Sequence, residues 1–468
     1  MAATILPDGG ESAAQSSHVA QIGPSVPVFP PGPGSLAVLD SLHAAIGRAN
    51  YTGLYGIVLA SGNRAWITDA DGNTYLDCLS CASSCSLGYG QDFLVDAYAG
   101  TARTLQQSCF TYSPNAPAIA LAEKLISLMP GNSGDNYRAM IGLSGSDSSG
   151  GAIKAARKFT KKLGIIHFKN DYHGSTGLSQ QASDFGKLDD GIYGVDPNFI
   201  EIDWPITDIE AAVALSEIAL AIKLNPVAAV ICEAIQGDAG VVVPPAGFLA
   251  SLRELTEGAG VLLICDEVQA GMGRTGKWWA YEHEGIVPDL MVTAKGITSG
   301  YAPLSAVVGR ADVLNSLEPG QHIFTYGGHP PSCAVALATL NAIEQQDLPD
   351  HCGQLGTALI GALKQVGAQY PEIIVEVRGK GLMIGVQIDI STDPLAGKIF
   401  ATRCVELGVY VGFFGVAGDV VRIEPPLIIQ QSDADLIVST VSAVAAEMAA
   451  NTIPSQTVAN VKKYSIGV

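Results

Sequence analysis

The middle of this chain is punctuated by short apolar runs, with helix-length segments between them. "LGIIHF" precedes a polar loop, "AAVICE" ends at Glu233, and "GVLLICDEV" carries Asp266 and Glu267 at its end. "DLMVTAK" ends at Lys295, and "LSAVVG" follows. Such runs are too short for buried helices and show no polar alternation, so both sides of each strand must be covered. Strands of this kind, alternating with helices such as the one expected over 246–259, predict an α/β fold with a mostly parallel central sheet between helices.

The last third changes character. Helices are expected over about 331–346, 352–369 and 395–407 and from about 432, among the strand-like stretches "IIVEVRGKGLMIGVQI", "VYVGFF" and "VVRIEPPLII". Strands broken by glycines beside helices predict a smaller α+β domain over 346–468. Residues 1–36 are rich in Pro, Gly and Ser and read as a mobile tail.

Composition narrows the function classes. The chain has 26 Lys and Arg against 45 Asp and Glu, a net charge of −19. A nucleic-acid partner needs a basic face, and none appears. No apolar run reaches the ~18 residues of a membrane span. The richest candidate, "ITDIEAAVALSEIALAIKL", carries Asp208, Glu210 and Glu217 and reads as an amphipathic helix. The first Lys or Arg is Arg48, so no secretory or mitochondrial leader is expected. Nine cysteines without such a leader suggest reduced thiols in the cytoplasm. Cys78, Cys81 and Cys85 lack a fourth ligand at zinc-site spacing, so no metal is expected and they read as half-buried small thiols.

Three ionisable residues close apolar runs: Glu233, Asp266 and Lys295. In an open parallel sheet, ligands bind beyond the carboxyl ends of the strands, so the three would meet at one edge. "LSGSDSSGGAIKAARKFTKKLG" adds a small, hydroxyl-rich turn followed by a helix. Gly145 permits close approach of a ligand, Ser146 offers a hydroxyl, and the helix start offers free N–H groups, which together make a phosphate cradle. The turn lacks the lysine of a Walker loop and the spacing of a dinucleotide fingerprint. A lysine, a phosphate cradle and a buried carboxylate suit pyridoxal 5′-phosphate, whose aldehyde needs an amine, whose phosphate needs an anion site and whose ring nitrogen needs a carboxylate. Lys295, its pKa lowered by an apolar pocket, would be the amine and Asp266 the partner of the ring nitrogen. Tyr172 in "DYHGST" would stack on one face of the ring, with Val268 packed on the other.

At these positions the chain resembles the class III, ornithine/GABA-type, aminotransferases of pyridoxal-phosphate fold type I. The matching stretches are "SGSD", "YHGST", "EAIQGDAG", "CDEVQAGMGRTG", "TAKG", "FTYGGHP", "VRGKGLMIG" and "VVRIEPPL", in order from about residue 50 to 450. The resemblance implies Lys295 as the cofactor-bearing lysine, Asp266 at the ring nitrogen, Gln269 near the ring hydroxyl, and Gly145 and Ser146 at the phosphate. It implies that Thr325 binds the phosphate of a neighbouring subunit, hence a homodimer with shared active sites. It also implies that residues 37–95 join the small domain and that 96–345 form the large cofactor-binding domain.

Within that family, two reactions compete. An aminotransferase would move an amino group between an amino acid or amine and a 2-oxo acid, with Arg422 holding a carboxylate. GABA and ornithine aminotransferases carry Glu where this chain has Asp238, paired as a gate with the arginine matched by Arg422. Isoleucine 2-epimerase and aminocaprolactam racemase carry Asp there, as a second acid/base. This chain also has Ser175 where many GABA-type enzymes carry Arg. Aminotransfer is the leading expectation, and racemisation by Lys295 and Asp238 the alternative. Ala234 replaces the family's usual Pro, and "SDSSGG" places two glycines early in a helix, which costs about 1 kcal/mol each in propensity.

Overall fold

The computed structural model describes residues 23–131, 136–184 and 196–465. At its centre lies a seven-stranded sheet in the spatial order Tyr137–Gly142, Ser305–Arg310, Leu290–Thr293, Leu262–Asp266, Val227–Glu233, Gly164–Phe168, Phe199–Ile202. Only Ser305–Arg310 runs against its neighbours. Every residue of Val227–Glu233, Leu262–Asp266 and Leu290–Thr293 is buried, as continuous apolar strands between helical layers require.

A second sheet, all antiparallel, is ordered Ile374–Lys380, Met383–Ile388, Val420–Ile423, Gly412–Phe414. Helices Leu348–Gln369 and Ala396–Glu406 pack on it, with Gln431–Ala449 against both. Helix Leu348–Gln369 starts four residues before its expected position. Asp347, at φ +48°, breaks the chain from the preceding helix Pro330–Gln345, and Pro349 sits in the first turn, where a proline suits a helix start. Strands Leu59–Asn63, Trp66–Asp69 and Thr74–Asp77 make a third sheet with Val409–Tyr410, which runs parallel to Thr74–Asp77.

The expected mobile tail over 1–36 is corrected in its second half, while residues 1–22 lie outside the described residues. Ser25 and Thr74 exchange two backbone hydrogen bonds of 3.0 and 2.7 Å. A helix runs over Pro33–Ala45, and the Asp71 carboxylate accepts from the N–H groups of Gly34 at 2.6 Å and Ser35 at 3.0 Å. A carboxylate at a helix N-terminus satisfies donors that have no partner within the helix. That anchor fixes a Pro- and Gly-rich segment whose composition alone suggests mobility.

The expected amphipathic helix forms over Asp208–Leu224. Its inward face is narrow, made by Ala211, Ala214 and Ile218, and Ile209, Val213, Leu220 and Leu224 remain exposed. No helix among the described residues is long and apolar enough to cross a membrane. Of the three clustered thiols, Cys78 and Cys85 are buried and Cys81 is exposed, so the half-buried reading fits none of them.

Candidate active site

The site is built where three parallel strands end. Glu233 pairs in register with Asp266, and Asp266 with Val292, three residues before Lys295. Their side chains border a cavity of about 460 Å³. Gly145, Ser146, Tyr172, Val268 and Gln269 line the same cavity. Eight of the residues singled out in the sequence therefore meet in one place: Gly145, Ser146, Tyr172, Glu233, Asp266, Val268, Gln269 and Lys295.

The cradle is the start of helix Gly145–Thr160. Ser144 caps it, accepting from the Asp147 N–H at 3.2 Å, while Asp147 accepts from the Ser144 N–H at 2.9 Å. A Cβ on Gly145 would lie 3.2 and 3.3 Å from the two Val268 methyls, so the bare backbone there leaves room for a group in front of the helix. The two early glycines differ in purpose. A Cβ on Gly151 would approach His322 Nε2 at 2.6 Å, so this glycine admits the His322 ring, whereas Gly150 faces open space.

Asp266 is held from behind. Its Oδ1 accepts from the Val268 N–H at 3.0 Å, and its Oδ2 lies 2.8 Å from His173 Nδ1. His173 Nε2 lies 3.0 Å from Asp171 Oδ2. Burial works against a charged imidazole, but Asp171 and Asp266 outweigh it and hold His173 well above its usual range. The imidazolium therefore donates to a carboxylate on each side. Burial pushes Glu233 up to about 8. Its oxygens accept from the N–H groups of Tyr172 at 3.0 Å and Gly237 at 2.9 Å, tying the Tyr172 loop to the strand end.

Lys295 has φ +42°, a left-handed conformation uncommon outside glycine and characteristic of functional sites. Its Nζ donates to Gln269 Oε1 at 3.3 Å. Gln269 Nε2 in turn donates to both oxygens of Glu424, at 3.1 and 3.0 Å. Glu424 Oε2 lies 3.2 Å from Arg422 Nε, and Arg422 Nη1 donates to Asp238 Oδ1 at 2.6 Å. The guanidinium stacks 3.3 Å over the Phe414 ring. Burial alone would raise the Asp238 carboxyl, but Arg422 and Lys295 prevail and bring it below its usual value. Asp238 and Arg422 do not border the cavity themselves; Glu424 and Gln269 join them to Lys295. Thr325 is exposed and lies outside this chain's cavity.

Sequence reasoning missed three residues here. Asp171 and His173 sit inside the quoted "DYHGST", two positions apart in the loop after strand Gly164–Phe168, and their side chains touch. Glu424 stands two residues beyond Arg422 at the end of a strand and shares its face, because side chains alternate along a strand.

The donor set fits pyridoxal phosphate: an amine with one weak contact, a carboxylate balanced by a charged imidazole, and a helix start whose first residue has no side chain, all bordering one cavity. The class-III aminotransferase family profile matches residues 47–445. The chain is 35% identical to the alanine/serine racemase of Pyrococcus horikoshii, over 88% of this chain and 90% of that one. It is 36% identical to the leucine/methionine racemase of Thermococcus litoralis, over 81% and 88%. It is also 35% identical to the acetylornithine aminotransferase of Methanothermobacter thermautotrophicus, over 84% and 94%. Among solved structures, a transaminase from a marine Virgibacillus superposes with a TM-score of 0.81 at 29% identity, covering 89% of this chain and 99% of that one. The chain belongs to the class-III aminotransferases, enzymes of fold type I that work with pyridoxal 5′-phosphate.

Proposed function

We propose that this enzyme moves an amino group between an amino acid or amine and a 2-oxo acid, taking both in turn at the cavity in front of Lys295. When bound, pyridoxal phosphate supplies an exchangeable aldehyde and a ring that withdraws the electron pair left by a departing proton. The N–H groups at the start of the Gly145 helix and the Ser146 hydroxyl hold its phosphate. Asp266 holds a proton at the ring nitrogen, and His173 fixes the direction of that carboxylate and balances its charge. Tyr172 and Val268 cover the two faces and exclude water. Lys295 would anchor the cofactor through its ε-nitrogen and, once a substrate amine has freed that nitrogen, would take the substrate's α-proton and pass it to the cofactor's former aldehyde carbon. Arg422, buried and paired with Asp238 in this arrangement, would receive a substrate carboxylate once that pair opens. The observation that carries this reading is the convergence of Lys295, Asp266 and the Gly145 helix start on one cavity.

The active form in this reading is a homodimer, in which Thr325 reaches the neighbouring cavity. Its exposure beside exposed Ile323 and Tyr326 supports that placement. All nine cysteines are unpaired, which supports work in the cytoplasm.

A second reading is amino-acid racemisation with Lys295 and Asp238 as the two acid/bases. The likeness to two racemases favours it. Asp238 itself argues the other way: the 2.6 Å contact with Arg422 ties the carboxylate up in an ion pair and lowers its affinity for a proton, which weakens it as an acid/base. The test is a panel of L-amino acids in deuterated water, with and without 2-oxo acids. New amino acid formed only with an oxo acid supports transfer. α-Deuteration with loss of optical activity and no oxo-acid requirement replaces transfer by racemisation.

A further inference from the structure

We propose that Glu424 is a positioning residue that decides which end of the Gln269 side-chain amide faces the Lys295 nitrogen. The proposal rests on the reading above, in which Lys295 carries the cofactor. An amide has one accepting oxygen and one donating nitrogen, and its orientation follows from its neighbours. Both Glu424 oxygens lie within 3.1 Å of Gln269 Nε2, so the donating end is committed to the carboxylate. Rotating the amide would set its oxygen against those two oxygens and its NH₂ against the Lys295 amine. Glu424 therefore holds the Gln269 oxygen toward Lys295, 3.3 Å from Nζ.

Two further observations fix the arrangement. Glu424 is fully buried, and Arg422 stands 3.2 Å from it as counter-charge. A Cβ on Gly237 would collide with Gln269 Oε1, so the backbone at 237 is cleared for the amide. The titratable and charged groups that border the cavity with Lys295 are Asp266, His173, Glu233, Tyr172 and Tyr301, joined by Asp238, whose carboxyl feels Lys295, and by the Glu424–Arg422 pair that meets Gln269. An accepting oxygen backed by a negative charge favours a nitrogen that carries a proton. The Lys295 nitrogen bound to the cofactor thus keeps its proton to higher pH.

The experiment follows the long-wavelength absorbance of the cofactor-loaded protein against pH, in wild type, Glu424→Gln, Gln269→Leu and the double variant. Glu424→Gln keeps the side chain's size and removes its charge. The midpoint at which absorbance is lost should fall by about one pH unit in Glu424→Gln, the scale of a nearby charge. In the Gln269→Leu background the same change should have no further effect, because Glu424 acts through that amide. An unmoved midpoint in Glu424→Gln, or shifts that add in the double variant, overturns the proposal. A melting curve run beside each titration separates loss of fold from loss of orientation. If wild type binds no cofactor at Lys295, the underlying reading falls as well.

Discussion

Asp238 and Arg422 meet at 2.6 Å, joining the loop beyond a central strand to a strand of the antiparallel sheet. A substrate carboxylate must compete with Asp238 for the guanidinium, and Glu424 lies on the same arginine at 3.2 Å. Asp238→Asn removes the competing charge without leaving Arg422 unpaired. Its KM for a 2-oxo acid should fall several-fold while the kcat of transfer stays within about threefold, the pattern of a change in binding rather than chemistry. If racemisation is the reaction, the same variant should lose about 10²–10⁴-fold of α-deuteration, the usual contribution of an acid/base group. Steady-state kinetics and the deuterium panel, run on one preparation, separate these outcomes.

The cradle makes a second prediction. A methyl at position 145 would sit 3.2–3.3 Å from the Val268 methyls and in front of the helix N–H groups. Gly145→Ala should weaken pyridoxal phosphate binding about tenfold, or about 1.4 kcal/mol. The fold should survive, since Val268 can move by the few tenths of an ångström required. Titrating the cofactor into stripped protein, with quenching of tryptophan fluorescence as the signal, checks this. Unchanged affinity would mean that the phosphate lies elsewhere.

How much of this site the sequence displayed depended on the distance over which each residue acts. Lys295 and Asp266 were legible because a charged residue closing an apolar strand announces its own position at the sheet's edge. Gly145 and Ser146 were legible because a turn and the helix behind it are local. Glu424 and His173 were visible as residues but not as participants, because each acts on a partner brought near only by folding. Glu424 meets Gln269 across 155 residues, and His173 meets Asp266 across 93. The tail failed for the same reason: Asp71, which caps the Pro33–Ala45 helix, lies 37 residues from Gly34. The sheet order, with Ser305–Arg310 alone reversed, followed from strand patterning only as far as the mostly parallel class.

Glu233 gives a prediction in pH. Burial raises its carboxyl from 4.5 to about 8. A carboxyl that binds its proton more tightly in the folded state stabilises the fold fully below the unfolded value, and that stability is lost as pH rises through the folded value. The window is therefore pH 4.5 to about 8. Gln does not titrate, so the Tm of Glu233→Gln minus that of wild type should become steadily more positive between those limits. A constant offset will accompany it, because Gln offers one acceptor oxygen to the two backbone N–H groups of Tyr172 and Gly237. Melting curves of both proteins at several pH values decide the matter, and a difference that is flat or declines with pH would contradict the buried, protonated acid.

Thr325 is exposed on this chain and outside its cavity, and sharing of sites between subunits makes a test by complementation. Lys295→Ala removes the cofactor's amine. Thr325→Asp places a carboxylate where the partner's phosphate is expected, and like charges repel. Each variant alone should be nearly inactive, and the exposure of position 325 makes a folding defect there unexpected. In a mixed dimer, one cavity combines both defects. The other has the intact lysine of the Thr325→Asp chain and the intact threonine of the Lys295→Ala chain. Random pairing of equal amounts should restore roughly a quarter of the wild-type sites, since half the dimers are mixed and each holds one good site. Recovery of activity after denaturing and refolding the two variants together, compared with each refolded alone, measures this. If Thr325 instead served only its own chain, every site in the mixture would carry a defect and no activity would return.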